Sequence, residues 1–420
     1  MGPRFRASLF INIGSKTIWY IEPDNPAYKI GRREGRYPVN TKSKVTICFF
    51  TALLLITGGN AAAQTEVNIT PVTMEEADQN DPAVYADTVV WTDWRNSNIS
   101  SDEQALWNAD IYMFNISAGE EMQISTNESL QIGPRIYGDR VVWTDTRNGS
   151  ADIYMYNITS SEETQLTDNE SDQWYPDIYD DRVVWEDTRN GNADIYLYNI
   201  TSGEEIQITD DEAPQVDPVI YGDIIVWTDT RNVNLTTDNG NLTLQEVLSS
   251  NSDIYMYNIS SGEETQVTNN TSWQEGPAIH EDRIVWADMR NADLTSDNWL
   301  EWNVDIYMYN ITTGEETQVT TDGSNQFLPA IYGDRIVWED YRNHDTMTDT
   351  DASLEVVWNS DIYMYNISSG EESQVITDLS SQEYPAIYED TLVWVDMRSG
   401  YFDIYMTDLA EIEQQDQAEV

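Results

Sequence analysis

Asp145, Arg147 and Asp152 stand close together in the stretch RVVWTDTRNGSADIYMYNITS, residues 140–160. Two carboxylates flanking a guanidinium could hold a cation, orient an anionic substrate or assist proton transfer. The same trio recurs along the chain. The Asp of W-x-D appears as Asp93, Asp145, Asp187, Asp229, Asp288, Asp340 and Asp396, each followed two residues later by an Arg (Arg95 through Arg398) and then by the Asp of D-I-Y. Catalysis needs one special constellation rather than seven copies. The pattern therefore predicts a structural device, with Arg bridging carboxylates through bidentate hydrogen bonds at one turn of each unit.

Other chemistry is thinly supplied. The only cysteine, Cys48, lies in an apolar run, no lysine occurs after Lys44, and no G-x-S-x-G is present. His280 occupies a slot where the other units carry Tyr and reads as scaffold, while His344 sits in an insertion and could bind a metal. Carboxylates are so abundant that pairs suited to glycoside hydrolysis arise from composition alone. The runs DLTSDN (293–298) and DTMTDTDASLE (345–355) collect oxygen ligands for a hard cation. Asp293, Asp297, Asp349 and Asp351 are the ligand candidates and Ca²⁺ the cofactor they would take, although neither run has EF-hand spacing. These residues predict a protein that is not an enzyme.

The elements that position these residues follow from the period. A Trp after an aliphatic pair recurs at 91, 143, 185, 227, 286, 338 and 394. The gap from the Arg to the Asp of D-I-Y is 5 residues in units two, three and seven, and 15, 22, 15 and 19 in units one, four, five and six. One connection per unit thus carries the length variation. Each unit reads as four short strands: a at the Ile-Tyr segment (Ile136, Tyr137), b as RVVWTD, c as DIYMYNI and d as EETQVT, with turn residues between. Four strands repeated at about this period describe a propeller blade, so the expected fold is all-β, a seven-bladed propeller. Unit seven lacks a strand d. TEVNITPVT (65–73) stands at the right distance ahead of unit one to complete it and close the ring.

The chain RVVWTDTRNGSADIYMYNITSSEETQLT resembles the propeller repeat of TolB-like and WD40-like proteins, with a D-x-R-[ND]-G-x-x-[DE]-I-Y core and a trailing Q-L-T. The resemblance covers residues 65–409, and the repeat is also similar to propeller-bearing surface proteins of methanogenic archaea. It implies a fold, and leaves function to the loops.

Composition supplies the setting. Residues 1–44 hold nine of the 21 basic residues, whereas from residue 65 onward there are 12 Arg, no Lys and 72 acidic residues, a balance of 12 − 72 = −60. Such a surface repels nucleic acid and favours a monomer. Residues 39–64, with Lys42, Lys44, an apolar run and Ala61-Ala62-Ala63, have the three parts of a secretory signal, and the run is short for a membrane span. The expected organisation is a mis-annotated extension over 1–38, a signal peptide over 39–64, the propeller over 65–409 and a polar acidic tail over 410–420.

Function is expected on the face that bears the variable b–c connections. Sequons follow strand c at Asn115, Asn157, Asn199, Asn258, Asn310 and Asn366, which are glycosylation candidates in an exported chain. A sequon-free sector carries Trp299, Trp302, Trp358 and Phe327, and Trp107 ends the first insertion. These aromatics form a docking surface or pack the insertions onto the ring. The reading is an exported, glycosylated cell-surface binding or scaffold propeller that engages an envelope protein or glycan. A polysaccharide lyase or hydrolase and a purely structural coat protein are the alternatives.

Overall fold

The computed structural model describes residues 8–13, 16–21, 68–97, 108–233, 251–293, 302–343, 359–376 and 378–410. The chain divides into two compact units, Met1–Glu66 and Val67–Val420. In the first, strands Ser8–Ile13 and Lys16–Ile21 pair antiparallel; residues 39–64 lie outside the described residues.

The second unit is a seven-bladed propeller of four-stranded antiparallel sheets. Blade 2 shows the pattern: strand a Gln131–Tyr137, b Arg140–Asp145, c Asp152–Asn157 and d Glu162–Gln165. Strand a of each blade touches strand a of the next, and that of blade 7 (Gln382–Tyr388) touches that of blade 1 (Gln79–Tyr85), so the circle is complete. The last blade takes its fourth strand, Thr70–Pro71, from ahead of blade 1, as the spacing predicted. Backbone bonds from Val72 and Thr73 to the Ile404 carbonyl continue the seam.

Both faces of a blade are covered by its neighbours, which is why V-V-W is apolar without alternation. Val89 and Trp91 of blade 1 pack on Val393 and Val395 of blade 7, while Val90, Ile111 and Met113 on the opposite face receive Val141, Trp143 and Tyr154 of blade 2. All seven Trp side chains are fully buried. At 150–250 Å² each and ~25 cal/mol per Å², each contributes roughly 4–6 kcal/mol of apolar burial before opposing entropy.

Strand a begins earlier than the sequence suggested. It starts at an invariantly buried Gln (Gln79, Gln131, Gln173, Gln215, Gln274, Gln326, Gln382) and crosses a proline on the way to the terminal aromatic residue. The proline is tolerated because strand a is the inner edge of the sheet, and the ladder breaks there in a bulge. The residue before each proline has positive φ, from 50° at Leu328 to 64° at Gly133. Only two of these seven are glycine, so five side chains are held in a left-handed conformation that costs on the order of 1–3 kcal/mol.

Candidate functional site

The repeated trio is spent inside the blades. In every one the Trp indole N–H donates to the Asp of W-x-D at 2.9–3.2 Å. The Arg two residues on donates from Nη2 to the same carboxylate at 2.5–2.7 Å. Its guanidinium lies 3.9–4.7 Å over the Tyr of D-I-Y. In six blades Nη1 reaches a strand-d Glu at 2.6–2.8 Å. Blade 7 is the exception. Ile69 stands where that Glu would be, and Nη1 of Arg398 has Asp378 at 4.0 Å in its place. Six trios tie strands b, c and d together and the seventh ties b to c, which is a structural role.

The strand-c asparagines are likewise employed. Oδ1 of Asn115, Asn157, Asn199, Asn258, Asn310 and Asn366 accepts the backbone N–H three residues on, capping the c–d turn. Nδ2 of Asn157, Asn199 and Asn310 donates to Asp139, Asp181 and Asp282.

Trp107, Trp299, Trp358, His344, Asp297, Asp349 and Asp351 lie outside the described residues. Trp302 and Phe327 are 5 % and 3 % exposed. Those two side chains offer no open surface; they pack beneath the face, because each sits at the base of a connection where blades meet. Phe327 lies edge-on to Tyr341, 6.1 Å between centroids. Asp293 is exposed. Among the described residues no group of three or more His, Cys, Asp or Glu side chains is placed to hold a metal.

The structure brings together an acidic cluster that the sequence reading passed over. Glu339 follows the Trp of blade 6 at a position that is Thr92, Thr144 and Thr228 in other blades, and it is fully buried. It accepts the bulge N–H of Tyr384 in blade 7 at 2.7 Å and the Tyr341 hydroxyl at 3.3 Å. Burial raises the neighbouring Glu383 to about 7. Burial and these two carboxylates together push the Tyr341 hydroxyl well above its ordinary value. Asp361 of the same blade is raised to about 6, chiefly by burial, with Asp340 adding to it. Blades 4 and 5 give that position a Thr hydroxyl (Thr268 to Asp253, Thr320 to Asp305), but blade 6 has Ile376 there. Blade 3 carries Glu186 at the Glu339 position, accepting the Asp217 N–H at 2.6 Å in the same way, so aligning the repeats marks Ile376 as the departure and not Glu339. Counting carboxylates could not do so.

The inner strands frame a central channel. Their last residues, Tyr85, Tyr137, Tyr179, Tyr221, His280, Tyr332 and Tyr388, form an unbroken collar with neighbouring centroids 4.4–4.9 Å apart. A heptagon of that side places the centroids about 5.4 Å from the axis, so offset aromatic contacts narrow the channel at the a–b face. Burial pushes the Tyr221 hydroxyl to about 12. His280 accepts the Gly333 N–H at Nδ1 (3.1 Å), and burial lowers its pKa, so the collar carries a neutral imidazole.

The sequence matches no family model and no curated protein. Solved structures are similar in fold. The β-propeller domain of the Trilobed protease from Pyrococcus furiosus superposes with a TM-score of 0.57 at 11 % identity, over 80 % of this chain and 97 % of that one. It has an open velcro topology, whereas here Thr70–Pro71 closes the ring. The acylaminoacyl peptidase of Pyrococcus horikoshii gives a TM-score of 0.57 at 13 % identity, over 79 % of this chain and 51 % of the peptidase, about half its length. An oligogalacturonate lyase in complex with manganese gives a TM-score of 0.54 at 11 % identity, over 83 % and 94 %. Likeness at this identity establishes the propeller fold alone.

Proposed function

We propose that the protein is a binding module whose ligand, an envelope protein or glycan, docks on the face bearing the b–c connections. One observation carries this reading: the repeated residues are consumed by blade-to-blade architecture, while all length variation falls on connections at one end of the ring. Rigid rings acquire specificity through such loops. Export, a cell-surface location and glycosylation belong to the same proposal, supported by the signal-like segment over 39–64 and by the sequons. Exposed Asn127 and Asn269 have no turn to cap and are the better acceptors. Cross-linking of residues 65–420 in native envelope extract tests the reading. Cross-linked peptides should come from the b–c and d–a connections. Cross-links confined to the a–b and c–d turns would refute it.

A second reading, a polysaccharide lyase or hydrolase, is favoured by the half-buried Glu383, whose carboxyl burial raises to about 7, the range that suits acid–base work. Glu383→Gln would abolish turnover of polysaccharide on that reading and leave binding intact on the first.

A further inference from the structure

We infer that the central channel is a binding well for a small, singly charged, hydroxyl-bearing carboxylate of the sugar-acid class, held by Arg135. The inference concerns a site apart from the inserted connections and does not depend on the proposed function.

Arg135 is the only cation on the seven inner strands. The equivalent positions, two residues before the collar, are Ala83, Asp177, Val219, Ala278, Ala330 and Ala386. Strand a of blade 2 is flanked by strand a of blades 1 and 3 and paired with its own strand b. The solvent that makes Arg135 an exposed residue is therefore that of the channel. Two residues of strand place it about 7 Å above the collar. Five small side chains at that level leave room beside it.

Its bonding is as unusual as its place. Ten of the twelve propeller arginines have a carboxylate within 4.0 Å. Arg140 instead donates to the Asp180 carbonyl. Among the described residues Arg135 makes one hydrogen bond, to the carbonyl of adjoining Pro134. In a chain this acidic, a guanidinium left with four unused N–H groups is a fork for a carboxylate.

The neighbours narrow the ligand class. Burial raises the pKa of Asp177, in the next blade; it feels the charge of Arg135 while accepting backbone N–H groups, Ile220's at 2.8 Å among them, so a fixed carboxylate stands beside the guanidinium. The same carboxylate repels a second negative charge, which disfavours phosphate and dicarboxylates. The collar offers aromatic faces to the C–H side of a sugar ring.

Ligand-observed NMR titration with D-glucuronate, glucose and inorganic phosphate on the full propeller tests this. Glucuronate should saturate, with glucose and phosphate at least tenfold weaker. Arg135→Ala should lose tenfold or more in glucuronate affinity while the melting temperature holds, because four other blades carry Ala at this position. Arg135→Lys, which keeps the charge but not the fork, should fall between. Asp177→Asn should improve phosphate binding. Absence of saturable glucuronate binding, or equal binding by wild type and Arg135→Ala, would overturn the proposal. Should Arg135→Ala fail to fold, the Lys variant decides: affinity equal to wild type overturns it.

Discussion

Single residues that break the repeat are the most informative positions in this protein. Asp361 has a folded pKa of about 6 against an ordinary 3.8. The folded state thus binds its proton more tightly than the unfolded chain, and the contribution it makes at low pH is lost as pH rises through 6. Ile376→Thr supplies the missing hydroxyl to Asp361 and to Gln382, whose buried Oε1 has no partner. The variant should gain about 1 kcal/mol at pH 7 and little at pH 4, read from denaturant melts at the two values. His280 works in the opposite direction. Its folded pKa is lowered from 6.5, so the unfolded chain binds the proton more readily and stability falls as pH drops below about 6.5. His280→Tyr, which makes the collar uniform, should flatten the melting temperature of the variant relative to wild type between pH 7 and 5.

At the level of the strands, the sequence was legible where apolar runs and turns alternate, and less so where backbone geometry departs from rule. Strands b, c and d and the closing strand were all readable. The start of strand a was not, because a proline with a left-handed residue before it looks like a loop until the inner edge of a blade explains it. The site was harder still. The sequence leaves Trp302 and Phe327 either docking a ligand or packing the connections onto the ring, and the fold buries both. Glu339, Glu383 and Arg135 were invisible among 72 acidic and 12 basic residues, since only the ring shows which blade positions meet. The closing strand gives its own prediction. Deleting residues 67–73 uncovers the outer edge of Asp403–Asp408 and removes the Thr73 bonds to Gln79 and Ile404. The shortened protein should melt lower and form concentration-dependent oligomers in sedimentation runs, through edge pairing.

The propeller unit, the larger part of the whole molecule, is a ring under self-repulsion. Its formal balance of 12 − 72 = −60 from residue 65 onward raises the energy of the compact state, and salt relieves it. Raising NaCl from about 10 mM to about 1 M should therefore increase the melting temperature, and most of the rise should come below about 0.1 M, where the Debye length has already fallen to roughly 10 Å. A melting temperature independent of salt would mean that bound counter-ions already neutralise the surface.

The central claim is a division of labour, in which repeated residues hold the ring and the inserted connections recognise the partner. The direct measurement is envelope capture and thermal melting, run side by side on two variants. Arg147→Ala leaves the buried Asp145 without its guanidinium and should lower stability by roughly 3 kcal/mol while capturing the same partner below its melting temperature. Cutting the connections of blades 4 to 6 to the five-residue spacing, with the buried Trp302, Val304, Asn359 and Ser360 kept, should leave the melt nearly unchanged and abolish capture. Capture that survives trimming but is lost with Arg147→Ala in a folded ring would contradict the account.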